Sequence, residues 1–419
     1  MAANEPSKDG SVFKVAEFRA LFFANLVSVI GDQLARVALA VLVFNRTDSA
    51  AWTALTYAMT FLPDVAGGAL LAGLADRFPR RRVMVTADAV RAVLVAGMAI
   101  PGQPIVSLVV LLVVVQLLAA PSMAARNAIL PSILTGDRYV TGVTIIRTSF
   151  QLGLIGGVGT GAAVVIALGT SQALLIDAAT FVASSLVVFF GVRPHRPEAV
   201  DAATPKTWWN TVHAGFRLVW SDRRLRSLIG LACVSGCYVI PEGLAVPYSS
   251  QIHSGTAGVG WLLGSVPAGM VIGMLILKRL PQATRLRLLG PLAVASCAVL
   301  LPIWWAPGLI GSAALWFASG FCSSYNMITN ATFVQTVPDH SRGQAVGLAN
   351  AALRVAQGLG VVIAGALTTL LSPGSVITLA AIVGVGLAAA TALAWSRSVS
   401  PAPTVAGGDE TGQASSSSA

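Results

Sequence analysis

Charged side chains are scarce in this sequence: only 11% of its 419 residues are Asp, Glu, Lys or Arg, whereas 55% are hydrophobic. A soluble protein of this length could not bury so much apolar surface, so the composition excludes a soluble globular protein and indicates a membrane protein. The apolar runs are continuous and lack the alternation of polar and apolar residues that a membrane β-barrel needs. The sequence therefore predicts an all-helical membrane protein, because helices satisfy their own backbone groups in lipid.

The sequence also lacks the residue groups on which enzymes and ATP-driven pumps depend. Its four histidines lie outside the apolar runs, and its four cysteines lie inside them without neighbours suited to metal binding. No nucleophile motif stands out, and there is no nucleotide-binding motif. We therefore expect no enzymatic activity, no metal, no cofactor, and ordinary buried thiols in place of disulfides.

Long apolar runs are what the sequence has in abundance. A helix needs about 20 apolar residues to cross a bilayer, and proline, glycine and charged residues divide this chain into runs of that length. We predict twelve transmembrane helices, at 17–43, 52–75, 83–101, 104–125, 140–168, 172–191, 226–246, 257–278, 285–304, 308–333, 344–371 and 375–395.

Positive charge is distributed unevenly between the two sides of these helices. Of the 27 Lys and Arg residues, 22 lie at the termini, in the loops after helices 2, 4, 6, 8 and 10, or in the first or last turn of a helix that borders them. Four lie deeper within apolar runs, and Arg46 lies in a loop on the opposite side. This positive-inside pattern predicts that both termini are cytoplasmic. It also accounts for the net charge of +10 without a nucleic-acid partner. The richness in Ala, Val, Gly and Arg is typical of a GC-rich bacterial genome, so we expect a multi-pass protein of a bacterial cytoplasmic membrane.

The apolar runs fall into two sets of six, separated by a long polar connection. Apolar side chains at helical spacing within that connection predict an amphipathic helix on the inner membrane face: Trp209, Val212, Phe216 and Val219. The C-terminal tail has the low complexity that is typical of disorder. We predict a cytoplasmic tail at 1–15, a six-helix bundle at 16–191, a central loop at 192–225, a second six-helix bundle at 226–396 and a disordered tail at 397–419.

Three short segments of the first half recur in the second half, at an offset of about 205 residues. The segment "DRFP" at 76–79 is echoed by "KRLP" at 278–281, and Asn-Ala at 127–128 recurs at 330–331. The pattern Arg-x4-Leu-Gly begins at Arg147 and again at Arg354. Internal repeats of this kind are typical of secondary transporters and favour a duplicated arrangement of six plus six helices.

The loop after the second predicted helix carries a motif, which reads "LADRFPRRR" from Leu74 to Arg82. Together with the two sets of six helices and the long central loop, this motif resembles the major facilitator superfamily, whose pattern here is G-x-L-A-D-R-x-G-R-R. The chain departs from that pattern at Ala72 and Pro79, where the family has glycine. The resemblance implies the major facilitator fold, with two pseudo-symmetric six-helix bundles.

Three longer segments resemble one branch of this superfamily, the macrolide-efflux-like drug:proton antiporters. They read "SVIGDQLARVALAVLVFNRTDSA", "LLIDAATFVASSL" and "DRRLRSLIGLACVSGCYVIPEGLAVPY". The resemblance covers residues 16–396 and implies export of a small molecule in exchange for protons.

In the superfamily the motif loop has a gating role. The resemblance implies that Asp76 faces the start of helix 11 near Gly343, where a helix N-terminus is worth about 0.3–1 kcal/mol to a carboxylate. The consecutive arginines of the loop are expected to pair with an aspartate at the head of helix 3, or alternatively only to anchor the topology. The remaining residues of this predicted gate are Arg77, Arg80, Arg81, Arg82 and Asp88.

Acidic residues inside the apolar runs are candidates for proton coupling, because a charge at bilayer depth costs at least ~2.5–3.5 kcal/mol and needs a partner or a function. Asp32 and Glu242 are the first two candidates, and Asp64 is the third. Asp32 is spaced i, i+4 from Arg36, so a structural ion pair between the two is the alternative. Glu242 lies in "VIPEGLAVP", where proline and glycine break the helix, and broken helices commonly line transporter cavities.

Basic residues inside the runs complete the predicted site. Arg147 and Arg354 occupy equivalent places in the two halves. We expect both, together with Arg36, to line the cavity or to form salt bridges that rearrange during transport. A fixed pair with Asp32 or Glu242 is the alternative.

Two further features are expected to be structural. Asp177, near the outer end of helix 6, matches a family feature. Helix 5 carries closely spaced glycines, which we expect to serve helix packing and flexing more than ligand binding. These glycines are Gly153, Gly156, Gly157 and Gly161.

The function that these observations favour is secondary active transport. We expect a monomer that exports small amphipathic molecules, such as a drug, an antibiotic or a secreted metabolite, by proton antiport with alternating access. An importer or facilitator of a polar nutrient is the alternative. It would need several amides and hydroxyls converging at mid-membrane, and such residues are sparse in the runs.

Overall fold

A computed structural model of the protein describes residues 12–71, 73–194, 216–217, 219–338 and 341–399. The described part is built of helices joined by short connections. In the first half of the chain they are α1 (Ala16–Thr47), α2 (Ala50–Ala58), α3 (Leu62–Leu71), α4 (Leu74–Arg77), α5 (Arg80–Met98), α6 (Ile105–Ile133), α7 (Asp137–Leu168) and α8 (Thr170–Gly191).

The second half of the chain contains more and shorter helical segments. They are α9 (Arg223–Cys233), α10 (Ser235–Tyr238), α11 (Ile240–Gly243), α12 (Ala245–Gln251), α13 (Gly255–Leu277), α14 (Gln282–Ala298), a 3-10 helix (Leu301–Trp305), α15 (Gly308–Ser323), α16 (Tyr325–Thr336), α17 (Arg342–Leu367) and α18 (Pro373–Val399).

The observed helices coincide with the predicted apolar runs. Each run corresponds to one helix or to consecutive helical segments, and nine spans in the described residues are long and apolar enough to cross a membrane. The interrupted runs contain proline. Pro63 lies in the first turn of α3, just after the break between α2 and α3, and Pro241 and Pro247 lie in α11 and α12. Proline has no N–H to donate, so it disrupts the regular hydrogen-bond ladder of a helix.

One predicted boundary is wrong in a way that matters for the site. The fourth run was expected to end at residue 125, which placed Arg126 in a loop. The structure continues α6 to Ile133, so Arg126 lies inside the helix and donates a hydrogen bond to Asn25 on α1. Polar residues can extend a helix beyond its apolar part when neighbouring helices supply their partners.

The helices run between two ends of the molecule. We call one the short-loop end, at residues 99–104, 169, 252–254 and 368–372, and the other the arginine-rich end, at residues 78–79, 134–136, 278–281 and 337–338.

Segments predicted to lie outside the helix bundles are only partly described. Trp209 and Val212 of the predicted amphipathic helix lie outside the described residues, as do residues 1–11 and 400–419 of the tails. Phe216 and Trp220 are exposed, and their rings stack with centroids 5.0 Å apart.

Glycines on α7 allow close packing against α1. A Cβ built on Gly157 would lie 2.8 Å from the Cβ of Gln33, and one built on Gly153 would lie 3.0 Å from a methyl group of Val29. Gly161 approaches the same helix one turn further on. The structure does not place Gly156 in this contact, because its Cβ would meet no atom within 4 Å. Small residues at one-turn spacing are how membrane helices approach closely.

The two halves of the chain meet at the short-loop end, again through small residues. Gly365 on α17 lies against Ala54 on α2, and Gly260 on α13 lies against Ala162 on α7. At the arginine-rich end, by contrast, Cβ atoms built on Gly343 and Gly347 of α17 would meet no atom within 4 Å. The halves therefore approach each other at one end, while this part of α17 borders open space at the other.

The two faces of α7 provide a matched pair of substitutions. We expect Gly157→Ala to lower the stability of the protein by about 1–3 kcal/mol, because the added methyl group overpacks the contact with α1. Gly156→Ala adds the same methyl group to open space and should leave stability unchanged or slightly increased. Thermal unfolding of both variants in detergent measures the difference, and equal melting temperatures would contradict the packing role.

Candidate functional site

A cavity of about 120 Å³ lies among α1, α3, α5, α6 and α17. Its wall combines aliphatic side chains with a few polar groups, as is typical of small-molecule sites. Only one of these polar residues, Arg354, comes from the second half of the chain. The polar residues of the wall are Asp32, Gln33, Arg36, Thr60, Asp64, Arg91, Gln116, Asp177 and Arg354.

Arg91 on α5 is the cation that neutralises Asp32. Its Nη2 atom lies 2.9 Å from Oδ1 of Asp32, and its guanidinium lies 4.1 Å from the ring centroid of Phe181. The alternative considered for Asp32, an ion pair with Arg36, is not formed. Although both residues share a face of α1, the guanidinium of Arg36 turns towards the aromatic rings of Tyr57 and Phe61.

Asp88 is fully buried and belongs to the same cluster. It accepts hydrogen bonds from Ser122 on α6 at 3.3 Å and from Ser184 on α8 at 2.7 Å, and Arg91 lies 3.8 Å away. These partners come from three different helices, so the position of Asp88 depends on how α5, α6 and α8 pack together.

The predicted pairing of Asp88 with the arginines of the motif loop is also wrong. Arg80 donates a hydrogen bond to the backbone oxygen of Ala128, Arg81 lies over the ring of Phe189, and Arg82 is exposed. Asp88 is six to eight residues further along α5, a rise of about 9–12 Å, so these side chains remain near the arginine-rich end.

Two polar contacts join the halves of the chain beside the cavity. The hydroxyl of Tyr57 on α2 donates a hydrogen bond of 2.6 Å to Glu242 on α11. Arg354 on α17 places its Nε atom 3.6 Å from Asp64 on α3. The structure therefore brings three predicted residues, Glu242, Asp64 and Arg354, to the place where the halves meet.

Phe61 lies between two arginines at this junction. The guanidinium of Arg36 is 5.8 Å from its ring centroid and that of Arg354 is 5.6 Å away, within the range of a cation–π interaction. Both guanidiniums therefore lie close to the same aromatic ring.

The predicted gate is only partly visible. The side chains of Asp76 and Arg147 lie outside the described set, so the contact of Asp76 with Gly343 and the role of Arg147 stay predictions. Arg77 and Gly343 are exposed.

Sequence reasoning missed three residues of the site. Arg91 carried a usable signal, because it stands three residues after Asp88 and therefore on the same face of α5. Tyr57 carried no signal, since tyrosines near the ends of membrane helices are common. Asp177 was expected to be structural, yet it lies in the cavity wall with its carboxylate against Gly31, next to Asp32.

Comparison with known protein families identifies the family of this chain. The family model described as Major Facilitator Superfamily matches residues 21–335 and 243–418. The chain belongs to the major facilitator superfamily. Its all-helical fold is therefore the major facilitator fold, and the resemblance drawn from the motif loop and the longer segments is confirmed. As a member of this superfamily, the protein is a transporter and not an enzyme.

Curated relatives of this superfamily member include efflux proteins. The multidrug efflux pump Tap of Mycobacterium tuberculosis is 28% identical over 370 residues, which cover 83% of this chain and 86% of that protein. The enterobactin exporter EntS of Escherichia coli is 23% identical over 377 residues, which cover 85% of this chain and 86% of that protein.

Solved structures of superfamily members share the fold at low sequence identity. The nucleoside transporter NupG has a TM-score of 0.70 at 15% identity, covering 90% of this chain and 99% of that one. A bacterial homologue of the lysosomal transporter Spinster, in an inward-facing and unoccupied conformation, has a TM-score of 0.66 at 14% identity, covering 94% and 96%.

The hydrogen bond between Tyr57 and Glu242 should favour contact between the halves. We expect Tyr57→Phe to open the short-loop end, because the lost bond is worth about 1–3 kcal/mol, a roughly 5- to 150-fold shift in the ratio of closed to open molecules. Spin labels on Ile100→Cys and Ser372→Cys, with the four native cysteines replaced, measure that separation by electron–electron resonance.

Thr56→Val is the matched control for this experiment. Thr56 lies next to Tyr57 on α2, but within the described part of the chain its hydroxyl bonds only to the backbone oxygen of Trp52 in the same helix. The label distances of this variant should equal those of the unsubstituted protein. A Tyr57→Phe variant with unchanged distances would contradict the proposed contribution of the hydrogen bond.

Proposed function

We propose that this transporter exports small amphipathic molecules from the cytoplasm in exchange for protons. The observation that carries the proposal is a cavity whose wall holds carboxylates and guanidiniums among aliphatic side chains, next to a junction between the halves. The efflux activity in the names of the relatives Tap and EntS supports the outward direction of transport.

The direction in which the cavity opens follows from the proposed orientation. We propose that twelve helices, in bundles at 16–191 and 226–396, cross a bacterial cytoplasmic membrane as a monomer with both termini inside. The short-loop end then faces outward, and the close contacts of Gly365 with Ala54 and of Gly260 with Ala162 close that side. Alternating access requires these contacts to separate while the arginine-rich end closes, with Asp76 engaging the start of α17 near Gly343.

Proton coupling requires carboxylates whose surroundings change as access switches sides. Glu242 and Asp64 fit this requirement, because their partners Tyr57 and Arg354 lie on the opposite half and must separate when the short-loop end opens. Asp32 fits it differently, since it lies in the cavity wall with a third of its side chain exposed and can meet both water and substrate. Protonation of any of these carboxylates would weaken its attraction to a neighbouring arginine.

Import of a polar nutrient is a second candidate. Thr60, Gln33 and Gln116 line the cavity and could hydrogen-bond a polar solute. The amide of Gln116, however, already donates to the backbone oxygen of Thr60. The uncommitted polar groups are therefore few, which favours an amphipathic substrate.

Accumulation of ethidium in a bacterial host without its own efflux pumps tests the function. Cells that produce the protein should accumulate less ethidium than control cells, and a protonophore should abolish the difference. Asp32→Asn should also abolish it, because an amide cannot form the ion pair with Arg91 or carry a proton. Asp48→Asn is the matched control, since Asp48 is exposed at the end of α1 in a left-handed conformation that asparagine tolerates.

Other dyes and macrolides extend the same assay. If Asp32→Asn still exports ethidium and the protonophore still abolishes export, the proton site would be Glu242 or Asp64 and not Asp32. An absence of any change across a broad panel of compounds would contradict export of amphipathic molecules and favour uptake.

Labelling of intact cells with a membrane-impermeant thiol reagent tests the orientation. In a background without the four native cysteines, Ser372→Cys should react because the short-loop end faces outward. Arg82→Cys, which is also exposed, should react only after the cells are opened. The reverse pattern would overturn the proposed orientation.

A further inference from the structure

Asp177 is a buried carboxyl group that the proposed transport cycle does not yet use. It lies on α8 with 1% of its surface exposed, where α8 packs against α1 and α5. Its Oδ1 atom lies against Gly31, where there is no room for a Cβ atom. Asp177 and Asp32 both line the cavity, and Gly31 precedes Asp32 on α1.

Asp88 and Asp177 are equally buried but have very different surroundings. Asp88 receives two serine hydroxyl groups and lies 3.8 Å from Arg91, which suits an ionised carboxylate. Within the part of the chain that the structure describes, Asp177 receives only the hydroxyl of Thr180 at 3.2 Å, and that hydroxyl also bonds to the backbone oxygen of Asp177 at 2.7 Å. Among the described residues, no Lys or Arg nitrogen lies within 4 Å of the Asp177 carboxyl group.

The charged groups around Asp177 do not compensate a negative charge. From α1 it faces Asp32, and from α5 it faces Arg91, whose guanidinium is already 2.9 Å from Asp32. Asp88 shares the same arginine. On α7, the charged residue closest to Asp177 along the chain is Arg147, and its side chain is not among those that the structure describes.

Two carboxylates beside one guanidinium repel each other, so ionisation of both is unfavourable. An ionised carboxylate that is buried without a cation or sufficient donors is also costly. Asp32 has its ion pair with Arg91 and a third of its side chain exposed, whereas Asp177 is 1% exposed and has no Lys or Arg nitrogen within 4 Å among the described residues. The geometry therefore assigns the negative charge to Asp32 and a proton to Asp177.

We propose that Asp177 is a proton-binding residue of the transport site and that it competes with Asp32 for Arg91 when the proton leaves. Release breaks the O–H bond of Asp177 and passes the proton to water in the cavity. The resulting carboxylate then attracts Arg91 and weakens the ion pair between Arg91 and Asp32. The role of this proton in transport rests on the proposed antiport. The proposal that Asp177 carries a proton does not depend on it.

Infrared spectroscopy of the purified protein in lipid nanodiscs tests the protonation state without any substrate. The wild-type spectrum at neutral pH should contain the carbonyl stretch of a protonated carboxylic acid, and Asp177→Asn should lack that contribution. Asp88→Asn, which removes an equally buried carboxyl group, should retain it. Identical carbonyl regions for the wild type and Asp177→Asn would overturn the proposal.

A second pair of variants guards against misfolding of Asp177→Asn. Gly31→Ala keeps every carboxyl group but crowds Asp177, so it should shift the frequency of the same band. Gly156→Ala adds its methyl group to open space and should leave the band in place. A band that does not respond to Gly31→Ala would show that it arises elsewhere and would overturn the assignment.

Transport of ethidium into proteoliposomes with an acidic interior and no membrane potential tests the coupling. A gradient of one pH unit and one exchanged proton support up to ~10-fold accumulation in the wild type. Asp177→Asn should lose this accumulation but keep ethidium exchange at equal pH, because exchange needs binding and switching without net proton movement. If Asp177→Asn still accumulates ethidium, the coupling role of Asp177 is overturned. If the wild-type protein does not accumulate ethidium, the antiport itself is overturned. In that second case the infrared result still decides whether Asp177 is protonated.

Discussion

A charged side chain in the apolar interior must find its partner within the protein, because lipid supplies none. In the first half of the chain, Arg91 is a buried cation that lies close to acidic side chains of α1 and α5. Its guanidinium lies against Asp32 and near Asp88, and it covers the ring of Phe181. Helices α1, α5 and α8 are thereby held in one arrangement, and the cavity wall takes its shape from that arrangement. One buried cation connects the packing of the helices with the chemistry of the site.

The junction between the halves is built differently from either half. Glycine and alanine bring the backbones together at the short-loop end, and the polar contacts described there are two, between Tyr57 and Glu242 and between Asp64 and Arg354. Small residues leave little interdigitated side-chain surface to pull apart. Such a junction suits the proposed alternating access, because two conformations must differ by only a few kcal/mol for either to be populated.

Much of the fold could be predicted because membrane helices are marked by long apolar runs. The predicted runs match the observed helices even where proline divides α9 from α12, since apolarity persists through such breaks. The end of α6 was not predicted, because the helix continues past its apolar part and the partner of Arg126, Asn25, lies on another helix. The acidic residues of the site were found for a physical reason: their cost in lipid makes them conspicuous.

The sequence by itself determined the class of the protein, the positions of its helices and the residues that carry charge into the membrane, because hydropathy and the placement of arginines are local properties of the chain. Only the tertiary structure decided which of those charges meet. Asp32 pairs with Arg91, 59 residues away, and not with Arg36 on its own helix, and Glu242 meets a tyrosine 185 residues away. Pairing depends on how helices rotate and pack against one another. When packing turns a side chain away from a residue four positions along its own helix, it pairs with a residue that is distant in sequence.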